Sequence, residues 1–271
     1  MSHLLREHAP ITDATWSVID DEAVQRLTPA LAARKLVDFS GPRGWQYSAT
    51  NLGRTTALSG APVDGVTAEQ RRVLAVVELY ATFSLARDEL RDADRGAEDV
   101  DLAALDAAAH QIARAENRAV FHGWAAAGIT GIAEASPHDS IPLGEDCEVY
   151  PRHVARAVEA LLRVGIAGPY GLALGNSAYT RVQETTEHGG YPLFEHLRHI
   201  TGGPLVWAPG LDGALVISQR GDDFTLTIGQ DISIGYVSHD AATVTLELQE
   251  SIAFVATSPE AGIALRSAAG T

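Results

Sequence analysis

The chain has 271 residues and a hydrophobic content of 46 %, enough to build a core in one large domain or two small ones. Its 35 acidic residues against 20 basic ones give a formal net charge of −15, which disfavours nucleic acid and anionic lipid as partners. The single cysteine excludes a disulfide within the chain and a thiolate metal cluster.

The N-terminal stretch MSHLLREHAPITDATW has no basic segment followed by an apolar run, so it lacks the pattern of a signal peptide. No stretch approaches the about 20 apolar residues that a membrane-spanning helix needs. We therefore expect a cytoplasmic protein that has no membrane partner.

Residues 12–37 have a helical pattern, since apolar side chains recur three and four residues apart. Thr28-Pro29 interrupts this pattern. Proline inside a helix removes a backbone donor, whereas at the first turn of a helix it costs little. We therefore expect a break here, with Thr28 capping a second short helix over residues 30–36.

Residues 46–85 are predicted to form a long, extended, two-stranded arm. The segment VLAVVELYATFSL (73–85) is apolar and β-branched, which is typical of a strand, and the preceding residues are rich in glycine, threonine and proline. An isolated hairpin cannot bury its own faces and is marginal in water. The arm is therefore expected to lie on another part of the protein or on another subunit.

The segment 101–124 is the clearest helix, because it is rich in alanine and has an apolar stripe. The region 125–220 alternates helical and strand patterns, as in an α/β arrangement. The segments FTLTI (224–228), TVTLELQ (243–249) and IAFVATS (252–258) are predicted to be three further strands. The last two alternate apolar and polar residues, as half-buried strands do.

The segment EHGGYPLFEHLRH (187–199) concentrates histidines and glutamates and is the most prominent candidate for chemistry. His196 and His199 lie three residues apart on a predicted helix, so they could share a face. Glu195 or His188 could then supply a third metal ligand, as in a metal-dependent hydrolase. Adjacent helical residues point about 100° apart, however, and the glycines after His188 are not a rigid support. We therefore predict no metal ligand and no catalytic residue.

Six further features occur in order along the chain. They are LLREHAPITDATWSVIDDEA with LAARKLVDFSGPRGW, then ELYATFSL, ADRGAEDVDL, AGIAGPYGLALG, EHGGYP with WAPGLDGALVISQRG, and FTLTIGQDISIGYVSHD. Together they resemble the family 1 encapsulins, bacterial shell proteins with the HK97 phage-capsid fold, from about residue 4 to residue 265. The resemblance implies an α+β fold with a P-domain, an A-domain and an extended E-loop.

The resemblance also implies a division of the chain. Its parts are an N-terminal helix with the start of the P-domain (1–45), an E-loop β-arm (46–85), a P-domain spine helix (86–128), an A-domain (129–220), P-domain strands (221–258) and a C-terminal segment (259–271). Such a chain is no enzyme but assembles with itself, with sixty subunits as the smallest icosahedral number. The expected cargo is a ferritin-like iron oxidase or a dye-decolourising peroxidase, which links the shell to iron storage and oxidative stress.

In the family, a short C-terminal peptide of the cargo docks on the luminal face, between the N-terminal helix and a P-domain strand. The matching cargo-binding positions are Leu27, Leu31, Arg34, Asp38, Asp231, Ile234 and Tyr236. The aliphatic members would form an apolar groove. Arg34 and Asp38, four residues apart, could pair with each other or with the peptide. The alternative is that these residues are ordinary core and an ordinary helix pair.

The family's five-fold pore is lined by the loop that matches TTEHGG. The resemblance therefore implies that Glu187, His188, Gly189 and Gly190 line a pore. A ring of carboxylates attracts cations, and a ring of histidines changes charge near about pH 6.5. This predicts a gate for small ions, and an ordinary solvated loop is the alternative.

Some encapsulins bind flavin through a tryptophan whose position is taken here by Asp88, so no cofactor is predicted. Two other classes stay open on sequence alone: an HK97-fold phage or prophage capsid protein, and a metal-dependent hydrolase that uses residues 187–199. The negative charge disfavours a capsid, because a container for DNA should be lined with basic groups.

Overall fold

The computed structural model describes residues 3–144, 146–187 and 189–266. The helices are α1 (Asp13–Ala30), α2 (Arg87–Asp94), α3 (Ala103–Phe121), α4 (Ile132–Ala135), α5 (Tyr150–Arg163), α6 (Asn176–Glu184) and α7 (Leu193–Thr201). The strands are β1 (Asp38–Ser40), β2 (Ala49–Leu58), β3 (Ala68–Ala75), β4 (Val77–Ala86), β5 (Ile141–Pro142), β6 (Tyr170–Leu174), β7 (Gly202–Trp207), β8 (Ala214–Ser218), β9 (Phe224–Ile228), β10 (Ser233–His239), β11 (Thr243–Ala256) and β12 (Gly262–Arg266). This mixture belongs to the predicted α+β class.

The first large sheet has the order β1-β9-β11-β10, and β4 pairs with the other side of β11. β11 pairs antiparallel with β4 over Thr243–Ile252 and with β9 over Ile252–Ala256. Along β4, buried and exposed residues alternate, which is the pattern of a strand with one covered face. The helix α3 covers that face.

The helix α1 packs on α3, and the buried Asn117 of α3 joins them. Its Nδ2 donates to the carbonyl oxygens of Ala30 (2.8 Å) and Pro209 (2.9 Å), and its Oδ1 accepts from the backbone N–H of Ala33 (2.9 Å). One side chain therefore bonds three backbone groups, of which, within the described residues, only the carbonyl of Ala30 has a second partner, the N–H of Ala32. It also links the end of α1 to the loop after β7.

The predicted break at Thr28-Pro29 is wrong. α1 continues through both residues and ends at Ala30, while the residues beyond form only a short 3₁₀ turn, Ala33–Lys35. Pro29 lies in the last turn, and the N–H of Leu31 still donates to the carbonyl of Leu27 (3.0 Å). Thr28 does not cap a second helix, because its hydroxyl donates to Val24 O at 2.6 Å within α1.

The predicted arm is shorter than 46–85. Its two strands are β2 and β3, which pair with each other from Ala49↔Ala75 to Leu58↔Ala68. β4, which we assigned to the arm, instead pairs with β11 in the first sheet. The alternating burial of ELYATFSL reflects this packing, since a strand of a free arm would be exposed on both faces.

The second large sheet has the order β5-β12-β8-β6-β7 and is packed by α5, α6 and α7. Its strands β6 and β8 are buried throughout, as central strands covered on both faces are. The C-terminal strand β12 pairs with β8 and was not predicted. None of the helices in the described ranges is long and apolar enough to cross a membrane.

The segments 243–249 and 252–258 are not two strands but belong largely to one, β11. The polar residues between them, Glu250 and Ser251, are buried and remain in register with Leu79 and Glu78 of β4. The strand can continue through Glu250 because this side chain forms an ion pair with Arg34 inside the fold.

Candidate functional site

Arg34 forms ion pairs with three carboxylates from three other segments. Its Nε lies 2.7 Å from Glu116 of α3, its Nη1 lies 2.7 Å from Asp231 before β10, and its Nη2 lies 2.9 Å from Glu250 of β11. The ring of Phe39 lies 5.2 Å from the guanidinium carbon. We call Arg34, Glu116, Glu250 and Asp231 the arginine cluster. It joins the 3₁₀ turn after α1 to α3 and to the first sheet.

The cluster extends from the core to the surface. Glu116 and Glu250 are fully buried, whereas 45 % of the Asp231 side chain is exposed. Burial raises the pKa of both glutamates, and that of Glu250 lies well above its ordinary value. Burial alone would lower the pKa of Arg34, but the charges of Glu116, Glu250 and Asp231 outweigh it and raise that pKa.

Within the subunit Arg34 does not pair with Asp38, which was one of the two partners that the sequence allowed. Asp38 lies on β1, and its Oδ2 accepts a hydrogen bond of 2.6 Å from the backbone N–H of Asp222. The helical spacing of four does not apply, because the chain leaves the 3₁₀ turn at Lys35 and becomes extended at Asp38. Asp38 is exposed and therefore remains accessible from outside the subunit.

The predicted apolar groove residues differ in their exposure. Leu27 and Ile234 are only 7 % and 3 % exposed, so their side chains are mainly core. Leu31 and Tyr236 are half-buried and pack against that core. The Tyr236 hydroxyl also lies 2.6 Å from Nδ1 of His239. Of the aliphatic positions, Leu31 offers the larger accessible surface.

The N-terminal segment also contributes to this face, which the sequence did not predict. The carbonyl of Leu4 accepts a hydrogen bond of 2.8 Å from the N–H of Tyr236, at the free edge of β10. Arg6 lies over the ring of Trp16 at 3.9 Å and pairs with Asp20 at 2.7 Å. Arg6, Trp16 and Asp20 line a surface cleft of about 590 Å³. The hydrogen bond between Leu4 and Tyr236 joins backbone atoms, so no residue type in the sequence predicts it.

The predicted pore loop lies between α6 and α7 and is a tight turn. The N–H of Glu187 donates to Tyr191 O at 2.8 Å, and the N–H of Gly190 donates to Glu187 O at 2.9 Å. Gly189 and Gly190 have φ values of 102° and 81°, a region that favours glycine. His188, the other predicted pore residue, lies outside the described residues.

Glu187 is held by its own subunit. Its Oε1 lies 2.8 Å from Nδ1 of His196 on α7, and half-exposed side chains form the pair. Tyr191 is 51 % exposed beside them. In the described ranges, no group of three or more histidine, cysteine, aspartate or glutamate side chains is arranged to hold a metal ion. Glu187 and His196 therefore join the loop to α7 by a hydrogen bond, and we call this pair the latch.

Comparison with known proteins assigns the family. The sequence model described as an encapsulating protein for peroxidase matches residues 1–253. A type 1 encapsulin shell protein of Rhodospirillum rubrum is 49 % identical over 271 residues, covering 98 % of this chain and 97 % of that protein. The chain belongs to the encapsulin family.

Solved structures agree with this assignment at the level of the fold. A virus-like particle from Pyrococcus furiosus matches with a TM-score of 0.58 at 16 % identity, covering 91 % of this chain and 98 % of that one. The capsid of Myoviridae phage XM1 matches with a TM-score of 0.53 at 11 % identity, covering 89 % and 92 %. The encapsulin therefore has the HK97-like fold predicted from the sequence.

Family membership decides between the classes that the sequence left open. The likeness to phage capsids is confined to the fold, whereas the likeness to encapsulin shell proteins extends to sequence over nearly the whole chain. This encapsulin is a structural subunit of a nanocompartment shell and not an enzyme. The hypothesis that residues 187–199 form the site of a metal-dependent hydrolase is therefore rejected.

Proposed function

We propose that this encapsulin assembles through its β2–β3 arm into a closed shell of sixty copies, which encloses a cargo enzyme in the cytoplasm. The observation that carries the proposal is the arm itself. No residue from 49 to 76, a range that the structure describes completely, is buried in the subunit. Such a hairpin gains stability from assembly, because a neighbouring copy supplies the surface that its own chain does not.

The chemistry of the arm favours a neighbouring copy as its partner. Leu58, Val63, Val66 and Val73 are each about half exposed or more. Arg54 and Arg72 lie directly opposite each other in the pairing of β2 with β3. Like charges at such positions repel unless acidic groups lie beside them. The chain has a net charge of −15, so another copy offers many carboxylates.

We propose that the cargo peptide docks on the face formed by Leu31, Tyr236 and Asp231, with Asp38 at its margin. Leu31 and Tyr236 present apolar surface that is only half covered, and Asp231 adds an exposed carboxylate. Leu27 and Ile234 support this face from the core. Arg34 acts by positioning Asp231, which it contacts at 2.7 Å.

The cargo is proposed to be a dye-decolourising peroxidase or a ferritin-like iron oxidase. The family description, an encapsulating protein for peroxidase, supports the first of these. A test is co-expression of the shell with each enzyme carrying a C-terminal tail rich in leucine or isoleucine and glycine. Enzyme that co-sediments with the shell only when the tail is present supports the proposal, and equal recovery without the tail contradicts it.

We further propose that the loop 185–192 surrounds an opening through which small ions pass. In a ring of subunits, the exposed Tyr191 and the glycine turn would form the rim. The Glu187–His196 latch would set how far the loop extends into the opening, because it joins the turn to the rigid helix α7. His188 remains a proposed pore residue by family resemblance alone.

A further inference from the structure

Two buried carboxyl groups of the arginine cluster are incompletely satisfied. Oε2 of Glu116 accepts a hydrogen bond from Arg34 at 2.7 Å, and Oε2 of Glu250 accepts one from Arg34 at 2.9 Å. The other oxygen of each, Oε1, is buried and lacks an ordinary donor. Both carboxyl groups bind the one guanidinium group of Arg34, so the two lie next to each other in the core. A hydrogen bond between two carboxyl groups requires that one of them holds a proton.

The charge of the cluster leads to the same conclusion. Arg34 supplies one positive charge, while Glu116, Glu250 and Asp231 would supply three negative ones. An uncompensated buried carboxylate is costly, and a group in this position takes up a proton instead. The groups that act most strongly on the pair are Arg34 and Asp231, one on the 3₁₀ turn and one before β10. Arg34 can neutralise only one of the two glutamates, and Asp231 adds a further negative charge.

We propose that Glu116 and Glu250 share one bound proton in the folded subunit, and that its loss at alkaline pH destabilises the subunit, because two negative charges then lie side by side in the core. The protonated carboxyl group then has an O–H that can donate to the neighbouring carboxylate, which supplies the donor that the unsatisfied oxygens lack. The cluster then has a net charge of −1 instead of −2. The site is independent of which cargo the shell contains.

The direction of the pH dependence follows from the two pKa values. Burial raises the pKa of Glu116 and that of Glu250, so the pair keeps its proton to a higher pH than an exposed glutamate does. A folded subunit therefore keeps a proton that the unfolded chain releases, and unfolding is favoured as the pH rises. The stabilisation is complete below the ordinary glutamate pKa and is lost as the pH rises through the raised value.

Infrared spectroscopy of the assembled shell in deuterium oxide tests the bound proton directly. A protonated carboxyl group has a carbonyl stretching band separate from those of carboxylates and amides. At neutral pH the wild-type shell should have such a band. It should shift when the protein is labelled with heavy carbon in the glutamate carboxyl groups. A spectrum without a glutamate-sensitive band of this kind overturns the proposal, and this measurement requires no variant.

Substitutions then locate the band. Glu250→Gln and Glu116→Gln should each abolish it, because one proton serves both groups. Each glutamine can donate its amide to the facing Oε1, so the fold should be retained. Glu247→Gln, on the half-exposed part of β11, is the matched control and should leave the band unchanged. A band that survives both cluster substitutions contradicts the assignment.

The pH dependence of unfolding provides a second readout. The unfolding midpoint of the wild-type shell should fall as the pH rises above neutrality, whereas that of Glu250→Gln should fall less. Equal slopes for the two shells would show that the alkaline loss of stability has another source, and the proposed role of the proton would be rejected.

Discussion

Arg34 and Glu116 are joined by a hydrogen bond of 2.7 Å between Nε and Oε2, across 82 residues of sequence. The bond connects the 3₁₀ turn after α1 to the C-terminal part of α3. With Glu250 and Asp231 it ties together the parts of the subunit that come from both ends of the chain. The residue that family resemblance assigned to peptide binding is thus, in this structure, an internal fastening.

Replacing Arg34 by alanine should therefore destabilise the subunit rather than merely weaken docking. Removing one partner of a buried ion pair costs about 3–5 kcal/mol, because a buried charge loses its compensation. The free energy of unfolding, measured with denaturant, should fall by about that amount. Arg163→Ala removes an exposed pair with Glu159 and should change it by about 0.5 kcal/mol at most. Equal effects of the two substitutions would contradict the structural role.

Asn117→Ala should also lower stability. The substitution leaves the N–H of Ala33 and the carbonyl of Pro209 without this partner, while the carbonyl of Ala30 keeps the N–H of Ala32. Each buried group left unsatisfied costs about 1–3 kcal/mol. The thermal unfolding midpoint should drop by several degrees. Asn176→Ala, which removes an exposed bond to Trp207, is the control and should change it little.

Docking is better tested at Leu31 than at Arg34. Leu31→Asp places a charge on the proposed apolar face and should abolish loading of a fluorescent protein that ends in the leucine- and glycine-rich tail. The shells should still form, because Leu31 is only partly buried. Val24→Asp, at a position of α1 that is 62 % exposed, should load normally. Normal loading of the Leu31 variant would exclude this face.

The arm makes an unusual prediction for charge reversal. Arg54→Glu creates an opposite-charge pair with Arg72 within the hairpin, which should favour the isolated arm. It should nevertheless weaken the shell, because the arm would then repel the acidic surface of a neighbour. The mass distribution after gentle dilution in low salt measures this. Arg163→Glu makes the same change of charge outside the arm, and an equal loss of shells would refute the arm's role.

The latch predicts an effect on the opening. His196→Ala releases the Glu187 carboxylate from its 2.8 Å contact, so that carboxylate can turn toward the proposed pore. Entry of Fe²⁺ into empty shells, followed with an enclosed colorimetric chelator, should become faster because a ring of carboxylates attracts cations. His199→Ala on the same helix leaves the latch intact and serves as control. Unchanged entry in both would argue against the loop as the pathway.

Sequence patterns predicted the elements whose burial is local and periodic. The alanine-rich helix predicted over 101–124 was found within a few residues, as α3. The errors lie where distant partners decide the structure. Glu250 was left out of the two predicted strands, because nothing in the neighbouring sequence indicates its ion pair with Arg34. Pro29 appeared to break a helix that tolerates it in the last turn.

Family resemblance supplied the candidate docking residues, which remain predictions, but not the contacts that these residues make within the subunit. Spacing suggested that Arg34 faces Asp38, whereas the chain changes from a 3₁₀ turn to a strand between them. The contact of Leu4 with Tyr236 uses backbone atoms and has no residue signature. Glu116 lies in a helix whose sequence gives no reason to expect a fully buried acid.

The central claim is that copies of this chain close into a hollow container because each has an arm that needs a neighbour. Native mass measurement of the purified protein, with the arm intact and with residues 53–72 replaced by a short glycine-containing turn, tests this most directly. The account predicts one uniform megadalton species for the intact chain and only small species for the shortened one. A stable monomer or dimer of the intact chain would contradict it.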